Sequence, residues 1–171
     1  MAELPIIKLG HPTLRKVAKP VEEFDDSLKR LVDNMIETMR VNEGIGLAAP
    51  QLNLLDRLFV IDKKLINEEW EAQVYINPKI LSTEGSDLFE EGCLSIPGIR
   101  AEVERSFKIK VSYQTVQGEE IIEQLEGLHA RVFQHEYDHL EGVLFIDRLP
   151  ILTRKLLEPQ IKDLEGANIY H

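Results

Sequence analysis

His135-Glu136-Tyr137-Asp138-His139 sets two imidazoles four residues apart. On a helix that spacing is about one turn, so both rings share a face and can reach one cation. Glu136, beside the first ring, can approach a water on that cation without binding the metal, and can take the proton the metal has acidified. The third ligand decides the reading. Cys93 is the strongest candidate, because cysteine plus two histidines with an open fourth position is a catalytic ligand set. Gly92 beside it lets the chain approach a neighbouring helix closely or adopt a positive φ. Glu158, 19 residues beyond His139, is the rival ligand, as in a zincin-type endopeptidase, though Pro159 breaks the pattern around it. Phe145 stands where a metzincin carries its third histidine, which removes that class. His11, His129 and His171 read as solvated or capping residues. A closed structural metal site in an interaction module would need four protein ligands, and no convincing fourth is present.

A second segment, Gly44-Ile45-Gly46-Leu47-Ala48-Ala49-Pro50-Gln51, joins small residues to a terminal amide. Its low bulk permits close backbone contact with a ligand or helix. Gln51 can donate an N–H without carrying charge, or can simply satisfy a turn. No Gly-Lys-Ser/Thr follows, so this is not a phosphate loop.

These groups need elements to hold them. Asp25-Asp26-Ser27 offers N-cap acceptors, and Leu28, Leu31, Val32, Met35, Ile36 and Met39 follow at helical spacing, predicting a helix that ends before Gly44. Leu58–Ile61 reads as a short strand, and Val74-Tyr75-Ile76 as another that stops at Asn77-Pro78. Phe107–Tyr113 alternates apolar and polar residues, then turns at Gln117-Gly118 and returns through Ile121-Ile122. Cys93 is expected after a polar loop. A second helix over 128–140, stopped by Gly142, carries the histidines. Val143–Ile146 is a short apolar segment. Leu156, Leu157, Ile161 and Leu164 predict a C-terminal helix kinked or split at Pro159. The expected class is α+β: antiparallel strands packed around a central histidine-bearing helix, with an N-terminal helix and a C-terminal helical tail.

The 171 residues carry 20 Lys and Arg against 30 Asp and Glu, a formal charge of −10. That size predicts one domain, residues 1–171, with a core that needs no staples. An acidic chain is a poor nucleic-acid clamp, so no specific nucleic-acid binding is expected. A single cysteine excludes an internal disulfide. No signal peptide and no membrane span are read, so no membrane partner is expected and the expected location is the cytoplasm, where Cys93 stays reduced.

Taken in order, GIGLAAPQ at 44–51, EGCLS at 91–95 and HEYDH at 135–139 resemble the peptide deformylase family, over about residues 5–148. The resemblance implies hydrolytic removal of the formyl group from the initiating methionine of nascent polypeptides, releasing formate. It implies one divalent metal on Cys93, His135 and His139, typically iron(II), with nickel, cobalt or zinc as substitutes, and a metal-bound water that attacks the formyl carbon. Glu136 then matches the general base and later proton donor, and Gln51 with the Leu94 backbone N–H matches the oxyanion-stabilising pair. The substrate is an N-formyl-methionyl peptide lying as an extra strand along Ile45-Gly46 and Glu91-Gly92. Ile45, Phe89, Leu128 and Val132 are placed around its methionine side chain. Arg100 is expected to pair with a nearby Glu rather than with the peptide. The resemblance leaves transient ribosome association open, and the role of the tail from Pro150 as well.

Overall fold

The computed structural model describes residues 2–168, so His171 lies outside the described residues. Helix α1, Asp26–Val41, starts where the Asp25 side chain accepts the Leu28 N–H, and its buried stripe holds Leu28, Val32, Met35 and Met39. A five-stranded antiparallel sheet follows, in the order β1 (Gly46–Ala48), β2 (Leu58–Ile61), β3 (Gln73–Glu84), β6 (Lys108–Gln114), β7 (Glu120–Glu126). Helix α2, Gly127–Leu140, covers one face of this sheet and α1 covers the other. That explains the unbroken apolar run of β2. Leu58 and Val60 pack with Met35 and Met39, while Phe59 and Ile61 pack with Phe133 and Tyr75.

Between β3 and β6 in sequence, β4 (Asp87–Cys93) and β5 (Ile96–Arg105) form a separate hairpin. Its buried side shares a core with Leu9, Phe145 and Ile161, the last from helix α3, Ile151–Asn168. Among the described residues, no helix is long and apolar enough to cross a membrane.

The structure departs from the sequence reading at three elements. β3 does not stop at Asn77-Pro78 but runs on to Glu84. Asn77 takes φ 49° and the pairing register shifts between Ile76 and Lys79, so a bulge absorbs the proline's missing N–H. The Asn77 side chain bonds both backbone groups of Val21 in place of a regular ladder. The polar loop expected before Cys93 is strand β4. Its residues 87–90 are exposed, and Leu88 and Phe89 among them, so no period-two pattern marks it. The tail is one continuous helix through Pro159. That proline is on the exposed face, where water can satisfy the carbonyl it leaves free.

Candidate active site

One turn of α2 separates His135 from His139, and β4 ends at Cys93 beside them. One ligand atom from each of Cys93, His135 and His139 lies within 4.8 Å of the other two. The Cys93 Sγ is 3.4 Å from His139 Nε2, and His135 bonds Glu91 through Nδ1 at 2.8 Å, which leaves its Nε2 for Cys93. Glu158 is not part of this cluster; on α3 it pairs with Arg154 and Lys162. Phe145 does not extend the ligand set either, and stacks on His135 at 6.0 Å.

The donors suit a cation. Burial opposes a charged His135, yet its bonds to Cys93 and Glu91 outweigh burial and raise its pKa to about 10. Burial pushes His139 well below its ordinary value, keeping the ring neutral with a lone pair to offer. A thiol and two imidazoles form a set suited to iron, cobalt, nickel or zinc.

Glu91 was singled out for its backbone, but its side chain has a larger role. Its carboxylate accepts from His135, from Arg105 Nε and Nη2 at 2.6 and 2.9 Å, and from Arg131 Nη1 at 2.6 Å. Burial raises its pKa, but the bonds from His135 and Arg105 overcome this and hold it far below the ordinary carboxylate range. Arg105 continues to Asp138 at 3.0 Å, which also takes two bonds from Arg148. A carboxylate on the far nitrogen of a ligand histidine fixes the ring and raises its basicity. Sequence reasoning missed this chain because Arg105 and Arg131 are 14 and 40 residues from Glu91. The only local signal was the acidic residue before Gly92-Cys93.

Glu136 is buried, and its Oε1 has no hydrogen-bond partner among the described residues. Burial raises its pKa to about 7. The carboxylate lies directly over Gly46, where a Cβ would sit 2.6 Å from Oε2. Gln51 is oriented at both ends: Oε1 accepts the Ala48 N–H at 2.9 Å, and Nε2 donates to Ser95 Oγ at 3.2 Å and faces Cys93 Sγ at 3.5 Å. Ser95, fully buried, was not foreseen in this role. Leu94 occupies the turn between Cys93 and Ser95.

Most of the groups around the metal-type donors meet at one cavity of about 380 Å³. Its wall includes Glu136, Gln51, Cys93, Leu94 and His135, while His139 is buried and does not line it. Ile45, Gly46, Phe89, Glu91, Gly92, Leu128 and Val132 line it too. Phe89 and Leu128 are partly exposed at its mouth and Val132 is buried. The Arg131 guanidinium sits 5.9 Å from the Phe89 ring centroid. Arg100 pairs with Glu90 at 3.3 Å, and its guanidinium occupies the space a Cβ at Gly92 would need.

Two of the spare histidines are also accounted for. His11 caps a turn by accepting the Thr13 N–H. His129 is neither solvated nor capping: it is buried, bonds the Tyr75 hydroxyl at 2.8 Å and lies against Trp70. Burial lowers its pKa from 6.5 to about 4. The folded chain thus keeps this ring neutral where the unfolded chain protonates it. Its contribution is complete above pH 6.5 and is lost as pH falls toward about 4. Urea midpoints between pH 7.5 and 5 should fall less in His129→Gln than in the parent chain.

The profile of the polypeptide deformylase family matches residues 3–155. This chain belongs to that family. The peptide deformylase of Thermotoga neapolitana is 51% identical over 156 residues, 91% of this chain and 92% of that protein. That of Phenylobacterium zucineum is 45% identical over 163 residues, covering 95% and 96%. The crystal structure of the deformylase from Thermus thermophilus superposes with a TM-score of 0.88 at 42% identity, covering 96% and 99% of the two chains. Deformylases are hydrolases acting on N-formyl-methionyl peptides, and they depend on a metal. The Cys93, His135 and His139 cluster agrees with that dependence.

Proposed function

We propose that residues 1–171 act as one catalytic domain that removes the formyl group from the N-terminal methionine of newly made polypeptides and releases formate. The observation that carries this reading is the meeting of three metal-type donors, an unpartnered buried carboxylate oxygen and an oriented amide at one cavity. Cys93, His135 and His139 would hold one divalent ion, iron(II) by family resemblance with nickel, cobalt or zinc as substitutes. When bound, that ion supplies Lewis acidity to the formyl oxygen and lowers the pKa of a water ligand. Glu136 takes the proton of the attacking water and passes it to the leaving nitrogen, so that an amine and formate depart. Gln51 Nε2 and the Leu94 N–H donate to the oxyanion that develops on the formyl oxygen. Glu91 keeps His135 in one orientation.

Among the described residues β1 is an edge strand and β4 pairs only with β5, so each has one side without a strand partner. A peptide added along Ile45-Gly46 and Glu91-Gly92 would use those sides, with the methionine side chain among Ile45, Phe89, Leu128 and Val132. We place the reaction in the cytoplasm on nascent chains, with at most transient ribosome contact and no role for membrane or nucleic acid.

The test is anaerobic formate release from formyl-Met-Ala-Ser, with metal measured on the same sample. Formate release by metal-loaded protein supports the reading; none from fully loaded protein overturns it. Gln51→Ala should lower kcat about 100- to 1,000-fold with metal content intact, the usual loss for one oxyanion donor. Cys93→Ala should lose the metal while Glu158→Ala keeps it. The reverse pattern, seen by elemental analysis, would point to the zincin-type endopeptidase.

A further inference from the structure

We infer that the N-terminal segment Ile7-Lys8-Leu9 is a strap that sets the geometry of both oxyanion donors, with Lys8 as its positioning side chain. The inference rests on the function proposed above. Three consecutive residues reach the two loops that carry the donors. The Ile7 N–H donates to the Gln51 carbonyl at 2.8 Å, and the Leu9 N–H donates to the Ser95 carbonyl at 2.8 Å. Between them the Lys8 ammonium donates to the Leu94 carbonyl at 3.2 Å, across 86 residues of sequence.

The need for such a strap follows from the turn. Cys93 pairs with Ile96, so Leu94-Ser95 is a two-residue connection between β4 and β5. The carbonyls of two-residue turns have no partner within their hairpin, and buried ones must find one elsewhere. Here the strap supplies both. With Cys93 held by the ladder and the next two peptide planes held by Lys8 and Leu9, the Leu94 N–H has little freedom to rotate. The same strap holds the main chain of Gln51, whose amide is already aimed by Ala48 and Ser95. Donors gain catalytic value from being preorganised, and a small misplacement is costly.

The strap is itself anchored. Leu9 is buried with Ile96, Ile99, Phe145 and Ile161. Gly10 lies so close to α3 that a Cβ there would be 2.5 Å from the Glu165 carbonyl oxygen. The C-terminal helix thus backs the strap from behind, a role the sequence left open.

Lys8→Met keeps the stem and removes the donor; Lys8→Arg keeps a charged donor. In the metal-loaded full-length chain, Lys8→Met should lower kcat about tenfold, short of the loss for deleting a donor outright, with KM and metal content unchanged. Lys8→Arg should restore most of that loss. Amide hydrogen exchange at Ile7 and Leu9, which donate to the Gln51 and Ser95 carbonyls, should quicken in Lys8→Met and slow again in Lys8→Arg. Unchanged exchange at both amides overturns the strap whatever the activity, and so does a kcat loss that Arg does not rescue. Absent formate release in the parent chain would count against the deformylase reading, while the exchange result would still decide the strap.

Discussion

Glu136→Gln is expected to bind its metal normally and to turn over about 100- to 10,000-fold more slowly, the range a positioned general base and acid supplies. The substitution keeps the shape of the side chain over Gly46 and removes only its ability to carry a proton. Formate release and elemental analysis on one preparation check both halves, and normal turnover in loaded protein would end the proposed mechanism. The same change should stabilise the metal-free chain above neutral pH. Burial raises Glu136 from 4.5 to about 7, so the folded chain resists ionisation that the unfolded chain undergoes freely. Stability is therefore lost as pH rises from 4.5 through about 7, and Gln removes that loss. Denaturant midpoints of the two metal-free proteins at pH 8 give the comparison. A cation at the site would favour the carboxylate, so the acid limb of kcat/KM in the loaded enzyme should lie below pH 7.

The second large effect is expected at Glu91. Glu91→Gln leaves Arg105 and Arg131 buried without the carboxylate both share, and frees the His135 ring from its charged partner. Breaking a buried ion pair by removing one member typically costs about 3–5 kcal/mol. Loss of a carboxylate behind a ligand histidine typically weakens metal binding by roughly 10- to 100-fold. Urea unfolding and chelator competition should show both losses. Glu90→Gln is the control: its partner Arg100 is 62% exposed and Glu90 58%, so stability should stay within about 0.5 kcal/mol. If Glu91→Gln behaved like Glu90→Gln, the Glu91 side chain would not be organising the site.

How far each feature could be read depended on the distance over which its cause acts. Asp25 and the spacing from Leu28 to Met39 foretold α1 because capping and amphipathic burial act within a few residues. The HEYDH helix was legible for the same reason, since four residues along a helix bring two rings to one face. Strand β5 was harder, although Ile99, Ala101 and Val103 alternate with charged residues. Arg105 takes the next inward position, and its burial depends on Glu91 and Asp138 from elsewhere. β4 carried no pattern, as its outward residues include Leu88 and Phe89. The end expected at Asn77-Pro78 failed because a bulge, braced by Val21 and Gln114, lets the strand pass a proline.

By itself the sequence determined the donor types, the helix that pairs two of them, the carboxylate beside the first and the ordered motifs of the family. Only the tertiary structure decided whether the thiol or a distant carboxylate meets that helix, and how the meeting groups are oriented. It brought Cys93 to His139 rather than Glu158, put the Glu91 carboxylate behind His135, and laid residues 7–9 across the segments that hold Gln51 and Leu94-Ser95. The physical reason is that side-chain identity and local spacing are written along the chain. Burial and long-range hydrogen bonds, which set ring orientation, charge state and donor geometry, exist only once distant segments pack together.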